Sequence, residues 1–254
     1  MAKFELFGLI GKKLGHSFSA NFFNNKFEKE NINAHYQLFP LPEIECFPTL
    51  ISQNPELKGL NVTVPYKEDV IQFLDSVSEE AREIGAVNVI KFEEFSSGDS
   101  RHLRGYNSDA EGFRKSLLPL LRIDVKHALV LGSGGASKAV CYVLRNLGIE
   151  ISLVSRSKEK GDFSYEELTP EIIKKNLLII NTTPVGMYPA IHACPPIPYD
   201  SLTPSHICYD LIYNPEETLF LKNAKIRGAV IKNGLEMLHL QALAAWEIWT
   251  DKSC

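Results

Sequence analysis

A glycine-rich turn in the middle of the chain joins an apolar run to a segment that can form a helix. The run covers residues 129–131, and Gly132, Gly134 and Gly135 follow it closely. Glycine at the first position permits a tight turn, and glycine at the later positions lets another group approach the backbone closely. An apolar strand that leads through such a turn into a helix is typical of a parallel sheet covered by helices.

From residue 127 onward, short apolar runs alternate with helix-compatible segments. The runs predict strands over residues 128–131, 151–154, 177–180, 207–211 and 229–231. This alternation indicates parallel βαβ units with helices on both faces of the sheet. Upstream of residue 127, the pattern predicts strands over 4–11, 34–39, 60–64 and 86–90, helices over 21–29, 67–74 and 78–84, and a hairpin turn at 96–100.

These elements predict an α/β protein of two domains followed by a last helix. The first domain covers residues 1–108, a Rossmann-type domain covers 109–232, and a C-terminal helical segment covers 233–254. Asp109 is a plausible cap of a helix that continues to Leu121. The last helix places apolar side chains along one face, and this stripe is predicted to be core: Leu235, Leu238, Ala242, Trp246 and Trp249.

Composition and charge exclude several classes of protein. The chain has 254 residues, of which 44% are hydrophobic and 23% charged, as in folded globular proteins. Its net charge is −4, without a dense Lys/Arg cluster, so we expect no nucleic-acid partner. No apolar run approaches the roughly 18 residues of a membrane span, so we expect a cytoplasmic protein without a membrane partner. The five widely spaced cysteines predict reduced thiols, with neither a disulfide framework nor a metal site.

The glycine-rich turn also predicts a dinucleotide site. A pyrophosphate at such a turn binds backbone amides at the N-terminus of the following helix, where the helix dipole favours negative charge. Two glycines alone would be weak support, but the strand and the helix that the motif requires are both predicted here. The residues predicted to contact the pyrophosphate are Gly132, Ser133, Gly134, Gly135 and Ala136.

The segment after the next strand indicates which dinucleotide binds. NAD sites usually carry an acidic residue there, whereas NADP sites offer an arginine to the 2′-phosphate. This chain has Ser155, Arg156 and Ser157, followed by Lys158 and Lys160. Two hydroxyls and three cations suit a phosphate better than they suit an ordinary solvated loop, since no carboxylate stands at position 155. NADP(H) is therefore the predicted cofactor, held in part by Ser155, Arg156, Ser157 and Lys160.

Eight motifs, in order along nearly the whole chain, resemble those of the shikimate dehydrogenase family. They are GHSFS at 15–19, NVTVPYK at 61–67, GAVN at 85–88, GYNSD at 105–109, the turn at 132–137, NTTPVGM at 181–187, YDLIYNP at 209–215, and GLEML at 234–238 with Gln241. The resemblance implies reversible NADPH-dependent reduction of 3-dehydroshikimate to shikimate, in aromatic amino-acid biosynthesis. It also implies a catalytic domain joined to an NADP domain, with the last helix returning to the first. We expect a monomer or homodimer that acts on a small molecule.

The resemblance also implies roles for individual residues. Ser17 and Ser19 would hold the substrate carboxylate, although either hydroxyl could equally be an ordinary helix cap. The other implied substrate contacts are Thr63, Asn88, Tyr213 and Gln241. Thr182, Leu211 and Gly234 are the further implied contacts of the cofactor.

Lys67 and Asp109 are the catalytic residues that the resemblance implies. Taken alone, Lys67 could be a surface charge and Asp109 a helix cap. Within the family pattern both face the ring hydroxyls, and Lys67 is the acid/base. Hydride transfer to a ketone leaves an alkoxide-like oxygen, which a protonated lysine can stabilise and then protonate.

Several positions depart from the family pattern without removing a predicted catalytic group. Ala20 and Phe23 replace the usual proline and histidine, and Asn233 stands where aspartate is common. Two alternative functions stay open: a quinate/shikimate dehydrogenase of relaxed specificity, and a non-catalytic dinucleotide-binding regulator on the same fold. The presence of both Lys67 and Asp109 favours an enzyme.

Overall fold

The computed structural model describes residues 4–15, 17–94 and 101–251, and the chain divides into two compact units. The first unit comprises residues 1–108 and 242–254, and the second comprises residues 109–241. The first contains a six-stranded mixed sheet and the second a five-stranded sheet. The predicted α/β class is confirmed. Within the described ranges, no helix combines the length and the apolar character needed to cross a membrane.

The sheet of the first unit has parallel strands on one side and antiparallel strands in its centre. Its strands are β1 (Glu5–Gly11), β2 (Ala34–Pro40), β3 (Leu57–Val62), β4 (Ser76–Val77), β5 (Val89–Glu94) and β6 (Arg101–Tyr106). Their order is β2-β1-β3-β5-β6-β4. Strand β1 pairs in parallel with β2 and β3, whereas β5 is antiparallel to β3 and β6. The predicted turn at 96–100 lies outside the described residues.

Three α-helices belong wholly to the first unit: α1 (Phe18–Lys29), α2 (Phe47–Gln53) and α3 (Glu79–Ile84). The helix predicted over 67–74 is wrong, because this segment forms a 3₁₀-helix over Asp69–Phe73. Its backbone closes i→i+3 bonds, from the Ile71 amide to the Glu68 carbonyl and from the Leu74 amide to the Ile71 carbonyl, as short connecting segments often do. The predicted strand at 86–90 begins later than expected, at Val89.

All strands of the second unit are parallel. They are β7 (His127–Leu131), β8 (Glu150–Val154), β9 (Leu178–Asn181), β10 (Ile207–Asp210) and β11 (Val230–Lys232), in the order β11-β10-β9-β7-β8. Because β8 and β9 flank β7 on opposite sides, the order reverses at β7. Ligands of open α/β sheets bind at such a reversal, beyond the carboxyl ends of the strands.

The remaining helices are α4 (Ser108–Leu117), α5 (Gly135–Asn146), α6 (Pro170–Lys175), α7 (Leu219–Ile226) and α8 (Leu235–Thr250). Asp109 is not a cap, since α4 already includes Ser108 and the buried Asp109 lies within its first turn. Helix α4 ends at Leu117 rather than Leu121. Pro119 lacks an amide hydrogen, and a 3₁₀ turn over Leu118–Leu120 follows.

The last part of α8 packs in the core of the first unit. Trp246 and Trp249 contact Phe7, with ring centroids 5.6 Å and 4.9 Å away. The Trp249 indole also donates a 3.0 Å hydrogen bond to the Ile90 carbonyl. The predicted core stripe is confirmed for Ala242, Trp246 and Trp249, but Leu238 is only half-buried and Leu235 is 39% exposed. In the first turn of α8, Met237 is buried instead. Two residues along a helix lead to nearly the opposite face, so Met237 points inward where Leu235 points outward.

Gly59 on β3 leaves the space that the Trp249 indole fills. A Cβ atom at position 59 would lie 2.2 Å from Trp249 Nε1. We expect Gly59→Ala to destabilise the protein by about 1–3 kcal/mol, the usual cost of overpacking a core. Gly15→Ala is the control, since its Cβ would meet nothing within 4 Å. Equal free energies of unfolding for both variants in urea would contradict this explanation.

Candidate active site

A chain of hydrogen-bonded residues runs through the first unit and joins β2 and β3 to the segment that precedes β5 and to the first residue of α4. The Tyr36 hydroxyl donates to Asn61 Oδ1 at 2.7 Å, and Asn61 Nδ2 donates to the Asn88 carbonyl at 3.2 Å. Asn88 in turn contacts Ser108, donating to its hydroxyl at 3.0 Å and accepting from its amide at 2.7 Å. Buried polar groups that are satisfied in this way hold one another in fixed positions.

Ser17 and Ser19 lie half-buried at the start of α1. The Ser17 hydroxyl accepts a long hydrogen bond of 3.5 Å from the Ala20 amide, so this serine does act as a helix cap. Ser19 is hydrogen-bonded to Tyr36, which is fully buried and whose pKa is raised by that burial. The structure thus connects Ser19 to Asn88 through Tyr36 and Asn61. Neither Tyr36 nor Asn61 was among the predicted site residues, although Asn61 belongs to the NVTVPYK motif.

Thr63 and Lys67 follow β3 in a segment whose backbone is fixed at both ends. The Thr63 amide donates to the Ile10 carbonyl at 2.9 Å, and the Lys67 carbonyl accepts from the Val87 amide at 2.7 Å. Because Asn88 directly follows Val87, the structure brings Lys67 to the same group of residues as Asn88. Lys67 and Thr63 are both half-buried. Five of the predicted substrate and catalytic residues therefore lie in the first unit: Ser17, Ser19, Thr63, Lys67 and Asn88.

In the second unit, Asp109 and Gln241 lie on two helices that touch at Gly112. A Cβ atom at position 112 would lie 2.7 Å from the Met237 carbonyl oxygen and 2.9 Å from the Gln241 amide nitrogen. Gly112 comes three residues after Asp109, on the same face of α4. Only glycine at position 112 allows the two helices to come this close. The one sign of this contact in the sequence is the i, i+3 spacing of Asp109 and Gly112. Tyr213 lies beyond β10 and is 37% exposed.

The glycine-rich turn has the predicted geometry. Gly132 has a φ of +107°, and a Cβ there would lie 2.8 Å from both Thr182 Oγ1 and Thr183 Cγ2. Thr182 is held beside the turn, because its amide and its hydroxyl both donate to the Leu131 carbonyl, at 2.9 Å and 2.7 Å. Gly134 caps α5 without a side chain, and a Cβ there would meet nothing within 4 Å. The protein itself thus leaves open space above this helix N-terminus.

The segment after β8 lies beside the turn. The hydroxyls of Ser133 and Ser155 are 3.2 Å apart, and the Ser157 amide donates to Ser155 Oγ at 3.4 Å. Ser155 is buried, while Arg156, Ser157 and Lys160 are exposed. Lys158, one of the three cations predicted to favour a phosphate, forms an ion pair with Glu167 that competes with such a contact.

Leu211 and Gly234 also meet in the second unit. A Cβ on Gly234 would lie 2.0 Å from the Leu211 carbonyl oxygen, so the two backbones touch. The Gly234 amide donates to the Ile212 carbonyl at 3.0 Å, immediately before α8. Both residues lie beyond the carboxyl ends of β10 and β11. The predicted cofactor residues therefore lie at the same edge of the parallel sheet.

Asp210 is a buried carboxylate that was not among the predicted site residues. It is fully buried, and burial raises its pKa to about 6 although three hydrogen bonds act in the opposite direction. The spacing of residues in the sequence does not reveal this buried site, because the hydrogen-bond partners of Asp210 come from other elements: Asn181 and Thr218.

Known proteins resemble this chain over almost its whole length. Residues 9–90 match the family model of the shikimate dehydrogenase substrate binding domain. The chain is 40% identical to the shikimate dehydrogenase (NADP(+)) of Caldanaerobacter subterraneus subsp. tengcongensis, covering 98% of this chain and 92% of the relative. The crystal structure of shikimate dehydrogenase from Aquifex aeolicus matches with a TM-score of 0.86 at 37% identity, covering 100% and 96% of the two chains. That of Thermus thermophilus shikimate 5-dehydrogenase in complex with NADP(H) and shikimate matches with a TM-score of 0.84 at 30% identity, covering 98% and 94%.

Proposed function

The chain belongs to the shikimate dehydrogenase family, and on that premise we propose that it catalyses the reversible NADPH-dependent reduction of 3-dehydroshikimate to shikimate. The observation that carries the proposal is the fixed position of Lys67 beside Asn88, through the 2.7 Å hydrogen bond from the Val87 amide to the Lys67 carbonyl. This backbone contact supports a position of Lys67 near the hydroxyl and amide side chains around Asn88, which is the combination that a polyhydroxylated ring with one reacting carbonyl requires.

The residues of the second unit fit NADPH. The space above Gly134, which a side chain would occupy, suits a pyrophosphate at the N-terminus of α5. Ser155, Arg156, Ser157 and Lys160 would receive the 2′-phosphate, and Thr182, Leu211 and Gly234 would line the remainder of the site. When bound, NADPH supplies the hydride that reduces the ketone.

Polar side chains would bind the substrate. Ser17 and Ser19 would donate to the carboxylate, an acceptor that suits paired hydroxyl donors. Thr63, Asn88, Tyr213 and Gln241 would contact the ring hydroxyls and the carbonyl. Each of these four side chains is neutral, so hydrogen-bond geometry rather than charge would select the ring hydroxyls.

Lys67 would perform the proton transfer. In reduction, its ammonium group donates a hydrogen bond to the carbonyl oxygen and gives up one proton as that oxygen becomes a hydroxyl. In oxidation, the neutral amine takes the hydroxyl proton back. Asp109 would accept a hydrogen bond from a ring hydroxyl.

The wider assignment rests on the same premise. We propose that residues 1–108 bind the substrate, that 109–232 bind NADP(H), and that 233–254 complete the first domain. The compact units support the first of these boundaries, at residue 108. We propose a cytoplasmic enzyme that is active as a monomer or homodimer.

A panel of both cofactors, in reduced and oxidised form, with 3-dehydroshikimate, shikimate and quinate tests the proposal. We expect 3-dehydroshikimate to be reduced much faster with NADPH than with NADH, and Arg156→Ala to raise KM for NADPH about 10- to 100-fold, the value of one charge-assisted hydrogen bond. Its KM for NADH should stay unchanged. Lys158→Ala is the control, because the Lys158 ammonium is already held by Glu167.

The same panel separates the alternatives. Equal wild-type rates with the two cofactors would contradict the assignment of the 2′-phosphate site. Oxidation of quinate as fast as shikimate would favour a quinate/shikimate dehydrogenase, and binding of NADPH without turnover of any substrate would favour a regulator.

A further inference from the structure

Asp210 ends strand β10 and has no part in the proposed reaction. It lies opposite Asn181, the last residue of β9, in the parallel register of the two strands. Neither side chain is exposed to solvent. A buried carboxylate is costly unless hydrogen bonds compensate for the lost hydration, so its retention calls for a physical reason.

Three donors from three parts of the second unit surround the carboxylate. Oδ1 accepts from Asn181 Nδ2 and from the Ile212 amide, each at 3.0 Å, and Oδ2 accepts from the Thr218 hydroxyl at 2.6 Å. Thr218 caps helix α7, whose Leu221 amide donates to the Thr218 hydroxyl. Asp210 thereby fixes the connection 211–218, which includes Leu211, to the end of strand β9.

Asn181 transmits this constraint to the segment 182–187. Because its Nδ2 group faces Asp210, its Oδ1 atom faces Thr183 and accepts from the Thr183 amide at 3.0 Å and from its hydroxyl at 2.6 Å. The Thr183 hydroxyl in turn accepts from the Val185 amide at 3.2 Å. Thr183 is also one of the two residues that a side chain at Gly132 would strike. The chain of contacts thus runs from Asp210 to the glycine-rich turn.

We propose that Asp210 is a positioning residue for the cofactor: its carboxylate, when ionised, holds segments 182–187 and 211–218 in the arrangement that binds NADPH. The inference rests on the proposed function. A charged acceptor makes hydrogen bonds about twice as strong as a neutral one. Protonation weakens the bonds to Asn181 and Ile212, and it forces the buried Thr218 hydroxyl to redirect its hydrogen.

The titration range follows from the surroundings of the carboxylate. Burial raises the pKa of Asp210 to about 6. The donors that face it, from β9, from its own connection and from α7, are neutral. Burial raises the pKa of Tyr199 far above its usual range, and the charge of Asp210 raises it further. Burial also raises the pKa of neighbouring Cys208 to about 12. In this cluster Asp210 alone changes charge near pH 6.

Folding stability and cofactor binding respond to this charge in opposite directions. The folded-state pKa of about 6 lies above the ordinary value of 3.8, so the folded protein binds the proton more tightly than the unfolded chain. The contribution of Asp210 to stability is therefore fully present below pH 3.8 and is lost as the pH rises through about 6. Cofactor affinity, in contrast, is expected to rise over the same range. Weaker binding in acid thus cannot result from loss of the fold at this residue.

The test compares the Kd for NADPH of the wild type and Asp210→Asn, by fluorescence titration on both sides of the pKa of about 6. We expect the variant to bind about tenfold more weakly near pH 8, which corresponds to about 1.4 kcal/mol, and about equally near pH 5. The ratio is the decisive quantity, because the 2′-phosphate of NADPH itself titrates with a second pKa of about 6 in both proteins. A ratio that stays constant with pH would overturn the proposal.

Thr183→Val tests the route of the effect. It removes the hydroxyl that accepts from Val185 and donates to Asn181, so Asp210→Asn should cost little more in this background if Asp210 acts through Asn181. Multiplicative losses in the double variant would contradict that route. Failure of the wild type to bind NADPH at any pH would instead refute the proposed function, so the two failures are distinguishable.

Discussion

We expect Lys67→Ala to lower kcat by a factor of about 10² to 10⁴, the usual contribution of a general acid, while 3-dehydroshikimate still binds. Without the ammonium group, the oxygen that accepts the negative charge during hydride transfer has no proton donor in place. The backbone of residue 67 keeps its 2.7 Å hydrogen bond to the Val87 amide, so the variant should fold normally. Steady-state kinetics, together with a binding titration of the substrate, measures both quantities.

Two further variants separate proton transfer from charge. Lys67→Arg keeps a cation at this position but does not release its proton in the accessible pH range, so its kcat should stay close to that of Lys67→Ala. Lys29→Ala removes an exposed lysine at the end of α1 and should leave kcat unchanged. A Lys67→Ala enzyme that loses only affinity, with normal turnover at saturation, would contradict the role of acid/base.

Local sequence patterns predicted those features of the fold that depend on neighbouring residues. The strand-turn-helix unit at Gly132 follows from apolar periodicity and from the conformational freedom of glycine, and the structure places it as predicted. The parallel strands of the second unit were predicted to within two residues. The short 3₁₀-helix at Asp69–Phe73 was missed, since five residues carry too little periodicity to distinguish it from an α-helix.

Contacts between distant residues could not be predicted from one sequence. Nothing in the local pattern joins Tyr36 to Asn61, or Asp210 to Thr218, because these bonds depend on how the tertiary structure brings separate elements together. The pairing of Lys158 with Glu167 was missed for the same reason, so three cations were counted toward the phosphate. The resemblance to a family supplied the site residues, but it could not show which neighbours hold them in place.

The two glycines of the turn at Gly132 should respond differently to the same substitution. We expect Gly132→Ala to destabilise the protein, because its φ of +107° is strained for any other residue and its Cβ would lie 2.8 Å from Thr182 and Thr183. Strain of this kind costs about 1–3 kcal/mol. The displaced Thr182 would also distort the cofactor site, so KM for NADPH should rise as stability falls.

Gly134→Ala should weaken the cofactor with little effect on the fold. Its φ of −89° suits alanine, and its Cβ would meet no protein atom within 4 Å, so we expect a loss of stability of about 1 kcal/mol or less, from the poorer helix cap. The added methyl group would occupy the space proposed for the pyrophosphate, and an overlap of this size costs about 1–3 kcal/mol, or roughly 10- to 100-fold in KM for NADPH. Urea denaturation and steady-state kinetics of both variants check the contrast. Unchanged affinity for NADPH in Gly134→Ala would mean that the pyrophosphate does not lie above α5.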